Sequence, residues 1–268
     1  MKQFLLKYFS VSKLKEIRKK YGKFFIFCIR CIPFYGNLNI LSLVFGSDKN
    51  GGHNYTQHYT KHFKKYRFKK IKLFEIGVGG YDNPDFGGHS LRMWKKYFPF
   101  GKIVSLDIFD KSKLQENRIK IYQGSQIDEE VLNKIVSENG EFDLIIDDGS
   151  HINEHIITTF KYLYPKLKEG GIYVIEDIQT SYWESMGGDN KNLNNPSTAM
   201  NFCKSLTDCL NYSEFNNPEY QPTFFDLNIV EIHFYHNLVF IYKNRNFERS
   251  NLTQQHINDI SYENPDCK

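Results

Sequence analysis

Four carboxylates and a histidine stand in two short clusters, Asp147-Asp148-Gly149-Ser150-His151 and Glu176-Asp177, each closing an apolar run of strand length. If the two runs are neighbouring strands, about 4.8 Å apart, these groups converge on a small volume. Carboxylates held so close repel, and burying them is costly without a cation or shared protons. A hard divalent cation resolves the conflict, and oxygen ligation suits magnesium, which keeps positions open for water or substrate oxygens. His151 lies one short turn beyond Asp148 and faces the same volume, where an imidazole with a reference pKa of about 6.5 suits a general base for an oxygen nucleophile. Helix capping accounts for Asp148 or Ser150 alone and leaves the rest of the set unexplained.

The elements that must position these groups are legible from residue 70 onward, where short apolar runs alternate with longer helical patterns, the signature of a parallel sheet covered on both faces. The pattern predicts strands at 71–76, 102–107, 119–122, 142–147 and 172–176, and helices at 90–97, 128–138 and 154–167. The last helix is expected to stop at Glu169-Gly170-Gly171. Near the C-terminus, IVEIHFYHNLVFIYK predicts two strands joined at His236-Asn237. Five parallel βα units closed by such a hairpin give the Rossmann-like, seven-stranded class I methyltransferase arrangement, an α/β fold. Residues 1–45 are expected to form a helical extension to a catalytic domain at 46–268, and the polar, Asn-rich stretch 187–196 a mobile loop.

In an open α/β sheet, ligands bind beyond the carboxyl ends of the strands, near the point where strand order reverses. The first predicted strand runs into Glu75-Ile76-Gly77-Val78-Gly79-Gly80, where glycines let the backbone turn sharply and approach a ligand. A dinucleotide fingerprint would need a further glycine at residue 82, and Asp82 stands there, which argues against a nicotinamide cofactor. The second strand ends at Asp107, whose carboxylate suits both hydroxyls of a ribose. The third ends at Gln123-Gly124-Ser125, polar enough for an adenine edge. An adenosyl cofactor, S-adenosylmethionine in this fold, is the expectation.

Taken together, these residues resemble the magnesium-dependent sugar O-methyltransferases of the mycinamicin and macrocin type. The resemblance runs from about Ser47 to Lys243. Its most specific parts are Asp147 to His151 and Glu176-Asp177, supported by Ser47-Asp48-Lys49, by Gly87 to Trp94, by Thr180-Ser181-Tyr182-Trp183 and by His233-Phe234-Tyr235. It implies that Asp148, Glu176 and Asp177 hold Mg2+, that His151 is the catalytic base, and that Asp147 faces the cofactor. The cofactor set is then Glu75, Gly77, Gly79, Ser90, Asp107, Gly124, Ser125 and Asp147, with Tyr182 and Trp183 as sugar-stacking or lid residues. Some members carry a large N-terminal domain that this sequence lacks, so no subunit arrangement is carried over.

Composition narrows the field. The chain has 268 residues, 40% hydrophobic and 25% charged, which is globular. A net charge of +4 from 35 basic and 31 acidic residues does not call for a nucleic-acid partner. The five cysteines, Cys28, Cys31, Cys203, Cys209 and Cys267, show no zinc spacing beyond one C-x-x-C inside an apolar run, and a reduced cytoplasmic setting fits. No signal peptide or membrane span is expected. Residues 1–45 are expected to pack on the core, on a second subunit as a homo-oligomer, or weakly on a membrane. His53, His58 and His62 are expected to form a lid. Two other activities compete: a non-heme iron hydroxylase, which wants two histidines and one carboxylate where only His151 is near the cluster, and a non-catalytic cofactor-binding scaffold. A Lys-, Asn-, Ile- and Phe-rich chain points to an AT-rich bacterial genome, which favours a sugar, a nucleotide sugar or a surface-glycan precursor as acceptor over an antibiotic.

Overall fold

The computed structural model describes residues 22, 27–29 and 31–250. Its centre is a seven-stranded sheet of order β3-β2-β1-β4-β5-β7-β6. The strands are β1 (Lys72–Ile76), β2 (Lys102–Asp107), β3 (Ile119–Gln123), β4 (Phe142–Asp147), β5 (Leu167–Glu176), β6 (Ile229–Tyr235) and β7 (Leu238–Lys243). The first five are parallel, and β7 runs antiparallel to both β5 and β6. Strand order reverses between β1 and β4, so the crevice at their carboxyl ends is where a ligand is expected.

The helices are α1 (Leu38–Phe45), α2 (Thr56–Phe63), α3 (His89–Tyr97), α4 (Glu129–Asn139), α5 (Asn153–Leu163), α6 (Ala199–Leu210) and α7 (Phe224–Asn228). One face of the sheet packs on α1, α2 and α3, with Leu41, Tyr59, Phe63, Met93 and Trp94 fully buried against Leu73, Leu144, Ile146, Val174 and Phe240. The other packs on α4 to α6, with Ile135, Phe160, Leu163 and Cys203 against Phe74, Ile145, Tyr173 and Ile175. Burying a side chain of this size contributes roughly 2 kcal/mol, so α1, grouped by sequence with the extension, is part of the domain core. The ends of the helices follow local chemistry. Asp128 caps α4 by accepting from the backbone N–H of Glu130 and Val131, and Gly46 ends α1 in the left-handed conformation with its N–H on the Ser42 carbonyl.

One element differs from expectation. The helix predicted at 154–167 ends at Leu163, a single 3₁₀ turn covers Tyr164–Lys166, and β5 already starts at Leu167. Pro165 brings no N–H to continue a helix. Gly170-Gly171 is therefore not a helix stop but lies within the strand, where its register against β4 shifts between Phe142 and Leu144. Gly170 has a φ of 78°, which a bulge permits. Segment 187–196 is built of side-chain-capped turns around Asp189, Asn192 and Asn195. The cysteines at 28, 31, 203 and 209 are free thiols, and Cys267 lies outside the described residues. Among the described residues, no helix is long and apolar enough to cross a membrane.

Candidate active site

Strand parity decides which carboxylates meet. Successive side chains of a strand point to opposite faces, so Glu75 of β1, Asp148 just past β4 and Glu176 of β5 all emerge on the face covered by α2 and α3. Asp147 emerges on the other. Glu75, Asp148 and Glu176 have carboxylate oxygens within 4.8 Å of one another.

Amid them sits Lys49, only 1% exposed. Its Nζ lies 2.6 Å from Glu176 Oε1, 2.8 Å from Asp148 Oδ2 and 3.3 Å from Glu75 Oε1. Tyr59 of α2 donates to the same Glu176 Oε1 at 2.5 Å, and Ser90 of α3 donates to Glu75 Oε2 at 3.1 Å. Burial by itself would lower the Lys49 ammonium, but Asp148, Glu176 and Glu75 outweigh it and hold the group well above the usual lysine range. Burial pushes Glu75 up to about 7 against the opposing pull of Lys49. Burial, reinforced by Asp148, pushes Glu176 well up, again opposed by Lys49. This inner layer is buried except for the Asp148 side chain, which is 25% exposed, and it sets one ammonium among three carboxyl groups.

A second, outer layer is half-open to solvent. Asp148, Asp177 and His151 form another set whose donor atoms lie within 4.8 Å of one another, with His151 Nε2 3.9 Å from Asp148 Oδ1 and 3.9 Å from Asp177 Oδ2. The side chains are 26% exposed for His151, 25% for Asp148 and 18% for Asp177, so a small ligand can reach them. His151 and Asp177 both adopt left-handed backbone, with φ of 57° and 52°. That conformation is unfavourable for a residue bearing a Cβ, and strain of this kind concentrates at functional sites. Asp177 is fixed from the far side: its Oδ1 accepts from Tyr55 Oη at 2.5 Å and lies 3.6 Å from His53 Nδ1. His53 stacks on Tyr55 with ring centroids 4.6 Å apart.

The cofactor candidates gather round the first turn. Asp107 ends β2 half-buried, with Oδ2 accepting from Val78 N–H and Oδ1 from Phe109 N–H, both at 2.9 Å. Each oxygen keeps a lone pair for a ligand hydroxyl. Gly79 (φ 76°) has open space where a Cβ would stand, as an approaching ligand requires. Gly77 (φ 96°) does not, because a Cβ there would fall 2.1 Å from the Asp148 carbonyl oxygen. Gly124 and Ser125 follow β3, and the Gly124 N–H donates to the Asp107 carbonyl. Two candidates are closed off. Glu75 is fully buried in the inner layer, and Asp147, 2% exposed, is turned away from the crevice. Instead of facing a cofactor, the Asp147 carboxylate accepts from Gln126 Nε2 at 3.2 Å, while Gln126 Oε1 accepts from Ser150 N–H at 2.7 Å. Asp147 thus braces the β4–α5 turn from beneath, and its burial pushes it up to about 7.

Tyr182 and Trp183 are 37% and 49% exposed beyond β5. Their turn is anchored by the buried Asn153, which donates to the carbonyls of Thr180 and Met186. Of the expected histidine lid, His53 alone reaches the acidic site. His62 is buried against Phe240 and bonded through its two ring nitrogens to Tyr242 and Tyr235, and His58 stacks on Tyr235. Sequence reasoning gave no role to Lys49, Tyr55 or Tyr59. The available signal was Ser47-Asp48-Lys49, a charged stretch wedged between two segments with apolar or aromatic faces. Among the described residues, the candidate donor set at the opening has one histidine and two carboxylates, the reverse of the iron-oxygenase triad.

No family model matches the chain. The mycinamicin VI 2''-O-methyltransferase of Micromonospora griseorubida is 47% identical over 197 residues, which cover 73% of this chain and 49% of that protein. The demethylmacrocin O-methyltransferase of Streptomyces fradiae is 44% identical over 222 residues, covering 81% and 56%. A solved structure of the MycE methyltransferase from the mycinamycin biosynthetic pathway, in complex with Mg and SAH, matches with a TM-score of 0.80 and 38% identity over 94% of this chain and 67% of that one. The chain spans about half the length of the curated relatives it matches.

Proposed function

The chain belongs to the class I S-adenosylmethionine-dependent methyltransferases of the mycinamicin sugar O-methyltransferase type, and from that premise we propose that it moves a methyl group from S-adenosylmethionine to a sugar hydroxyl. The observation that carries the proposal is the half-exposed set of Asp148, Asp177 and His151 beside the switch point of the sheet. The donor set fits a hard divalent ion: it is rich in carboxyl oxygen, and its outer members, Asp148, Asp177 and His151, are open to solvent. Asp148, Glu176 and Asp177 would hold Mg2+, Asp148 being the carboxylate common to the inner set with Glu176 and the outer set with Asp177. When bound, Mg2+ supplies Lewis acidity that makes an acceptor hydroxyl easier to deprotonate.

The chain's own residues supply the rest. His151, with Nε2 turned to the cluster, takes the hydroxyl proton. Asp107 accepts from the ribose hydroxyls, and the space at Gly79 admits the cofactor's approach to the backbone. The left-handed turns at His151 and Asp177 fix the proton acceptor and the carboxylate before the acceptor arrives, so little orientation is lost in the reaction. Tyr182 and Trp183 stack on the sugar from a turn held by Asn153. The 8-demethyl-8-alpha-L-rhamnosyl tetracenomycin-C 2'-O-methyltransferase of Streptomyces olivaceus, 43% identical over 210 residues, is named for a rhamnosyl acceptor, which supports a sugar acceptor. A nucleotide sugar, a surface-glycan precursor or a glycosylated metabolite supplies it here, in the cytoplasm.

The test is methyl transfer from labelled cofactor to a panel of nucleotide sugars and glycosides, each beside its deoxy analogue, with Mg2+ or with chelator. Label is expected on acceptors with adjacent hydroxyls, and only with the metal. Normal cofactor binding without transfer to any sugar would sink the acceptor class. Equal rates for a diol and its deoxy analogue would sink metal chelation of the acceptor.

A further inference from the structure

We propose that Lys49 is a positioning residue for the metal-binding carboxylates, an internal cation that ties down the inner oxygens of Asp148 and Glu176 so that the outer oxygens stay directed at a single ion. The inference rests on the metal reading above and assigns the role to a residue outside the ligand set.

Three observations support it. First, Lys49 joins three separate strand ends through one nitrogen, with contacts of 2.6, 2.8 and 3.3 Å to Glu176, Asp148 and Glu75. The strands themselves fix only the backbone of these residues, and the ammonium contacts all three side chains at once. Second, the bonds are selective by atom. Lys49 takes Oδ2 of Asp148, and Oδ1 is the oxygen that lies 3.9 Å from His151 Nε2. Likewise Lys49 and Tyr59 share Glu176 Oε1. A carboxylate with one oxygen fixed presents the other in one direction, as hydrogen-bonded partners behind metal ligands do. Third, Lys49 is itself held. Its backbone N–H lies 3.4 Å from Ser47 Oγ, and its carbonyl accepts from the N–H groups of Tyr55 and Thr56 at the start of α2. The residue that orients Asp148 and the residue that fixes Asp177, Tyr55, therefore belong to one hydrogen-bonded unit.

The experiment measures Mn2+ binding to the purified full chain by the paramagnetic resonance of the free ion, without acceptor or turnover. Wild type is expected to bind Mn2+, and Asp177→Asn to lose it. Lys49→Met, which keeps the length and removes the charge, is expected to weaken Mn2+ binding by about 10- to 100-fold, the usual effect of losing a partner behind a metal ligand. Lys49→Arg, which keeps the charge, should recover part of that loss. Because Lys49→Met leaves buried anions unpaired, the variant Lys49→Met with Glu75→Gln, which removes one buried charge of each sign, is measured beside it and should fold yet keep the defect. A folded Lys49 variant whose Mn2+ affinity stays within about threefold of wild type, with only its melting temperature lowered, would overturn the positioning role. A wild-type chain that binds no Mn2+ would sink the metal reading and this inference with it.

Discussion

Replacing Gly77 with alanine should damage the metal site as well as the cofactor site, although Gly77 carries no ligand atom. Its φ is 96°, and an added Cβ would stand 2.1 Å from the Asp148 carbonyl oxygen and 3.0 Å from the carbonyl carbon, where ordinary contact begins at 3.4 Å. The two turns must therefore part by roughly 1 Å. Forcing a residue with a Cβ into left-handed backbone costs about 1–2 kcal/mol, and the overpacked contact about 1–3 kcal/mol more, so Gly77→Ala should lose ~2–5 kcal/mol of stability. Because the clash is with Asp148 itself, the displacement passes to the carboxylate next to Lys49 and His151. A shift of about 1 Å in a positioned group costs on the order of 10²-fold in rate.

Gly79→Ala is the matched control. It pays the same backbone term at φ 76° but has no atom within 4 Å of the new Cβ, so its loss should be ~1–2 kcal/mol, with cofactor affinity lowered and Mn2+ affinity intact. The assays are urea denaturation, calorimetry with S-adenosylhomocysteine and Mn2+ binding for the two variants side by side. Equal Mn2+ affinity in Gly77→Ala and Gly79→Ala would refute the coupling between the glycine turn and Asp148.

Asp107→Ala should raise the dissociation constant for S-adenosylhomocysteine by about 10²-fold, two charge-assisted hydrogen bonds being lost, while Mn2+ binding stays put; unchanged affinity in calorimetry removes Asp107 from the site. His151→Ala should lower turnover by about 10²- to 10⁴-fold with little change in the metal requirement, whereas Asp148→Ala should raise the metal concentration needed and recover in excess metal. A His151 variant rescued by metal would make the residue a ligand and end its assignment as base. His62 offers a stability test away from the site. Burial, with His233 and Lys61 adding to it, lowers its pKa to about 4. As pH falls from about 6.5 towards 4 the unfolded chain takes up a proton that the folded chain refuses, so stability is full above that window and declines through it, by at most ~3 kcal/mol before solvent screening. His62→Phe should flatten that part of the pH–stability curve; parallel curves for variant and wild type would show that His62 does not bear the penalty.

The strands, the hairpin and the place of the carboxylates were legible because each rests on local pattern: apolar runs of strand length, a turn at His236-Asn237, polar residues where the runs stop. The helix predicted through Leu167 failed because a helix stop and a glycine bulge both read as Gly-Gly, and Pro165 was the discriminating residue. The facing of Asp147 and Asp148 was not legible. In a parallel sheet covered on both faces the strands are apolar throughout, so the two-residue period carries no phase. Leu144 and Ile145 are equally buried on opposite sides, and nothing in that run says which aspartate follows which side.

The deeper omission was Lys49, and its cause is physical. A lysine's charge makes solvent the default expectation, and burial becomes tolerable only when partners from distant parts of the chain are in place. Those partners lie 99 and 127 residues away. Glu176 accepts from Tyr59, whose ring packs edge to face on Trp94 at 4.9 Å on the covered side of the sheet. That aromatic cover divides the site into two dielectric regimes. Beneath it the ammonium, 1% exposed, is held among carboxyl groups. Above it Asp148 and Asp177 keep enough exposure for a cation and an acceptor to enter and leave. A single carboxylate, Asp148, spans both regimes with one oxygen in each, so any change on either side of the cover must be felt on the other through it.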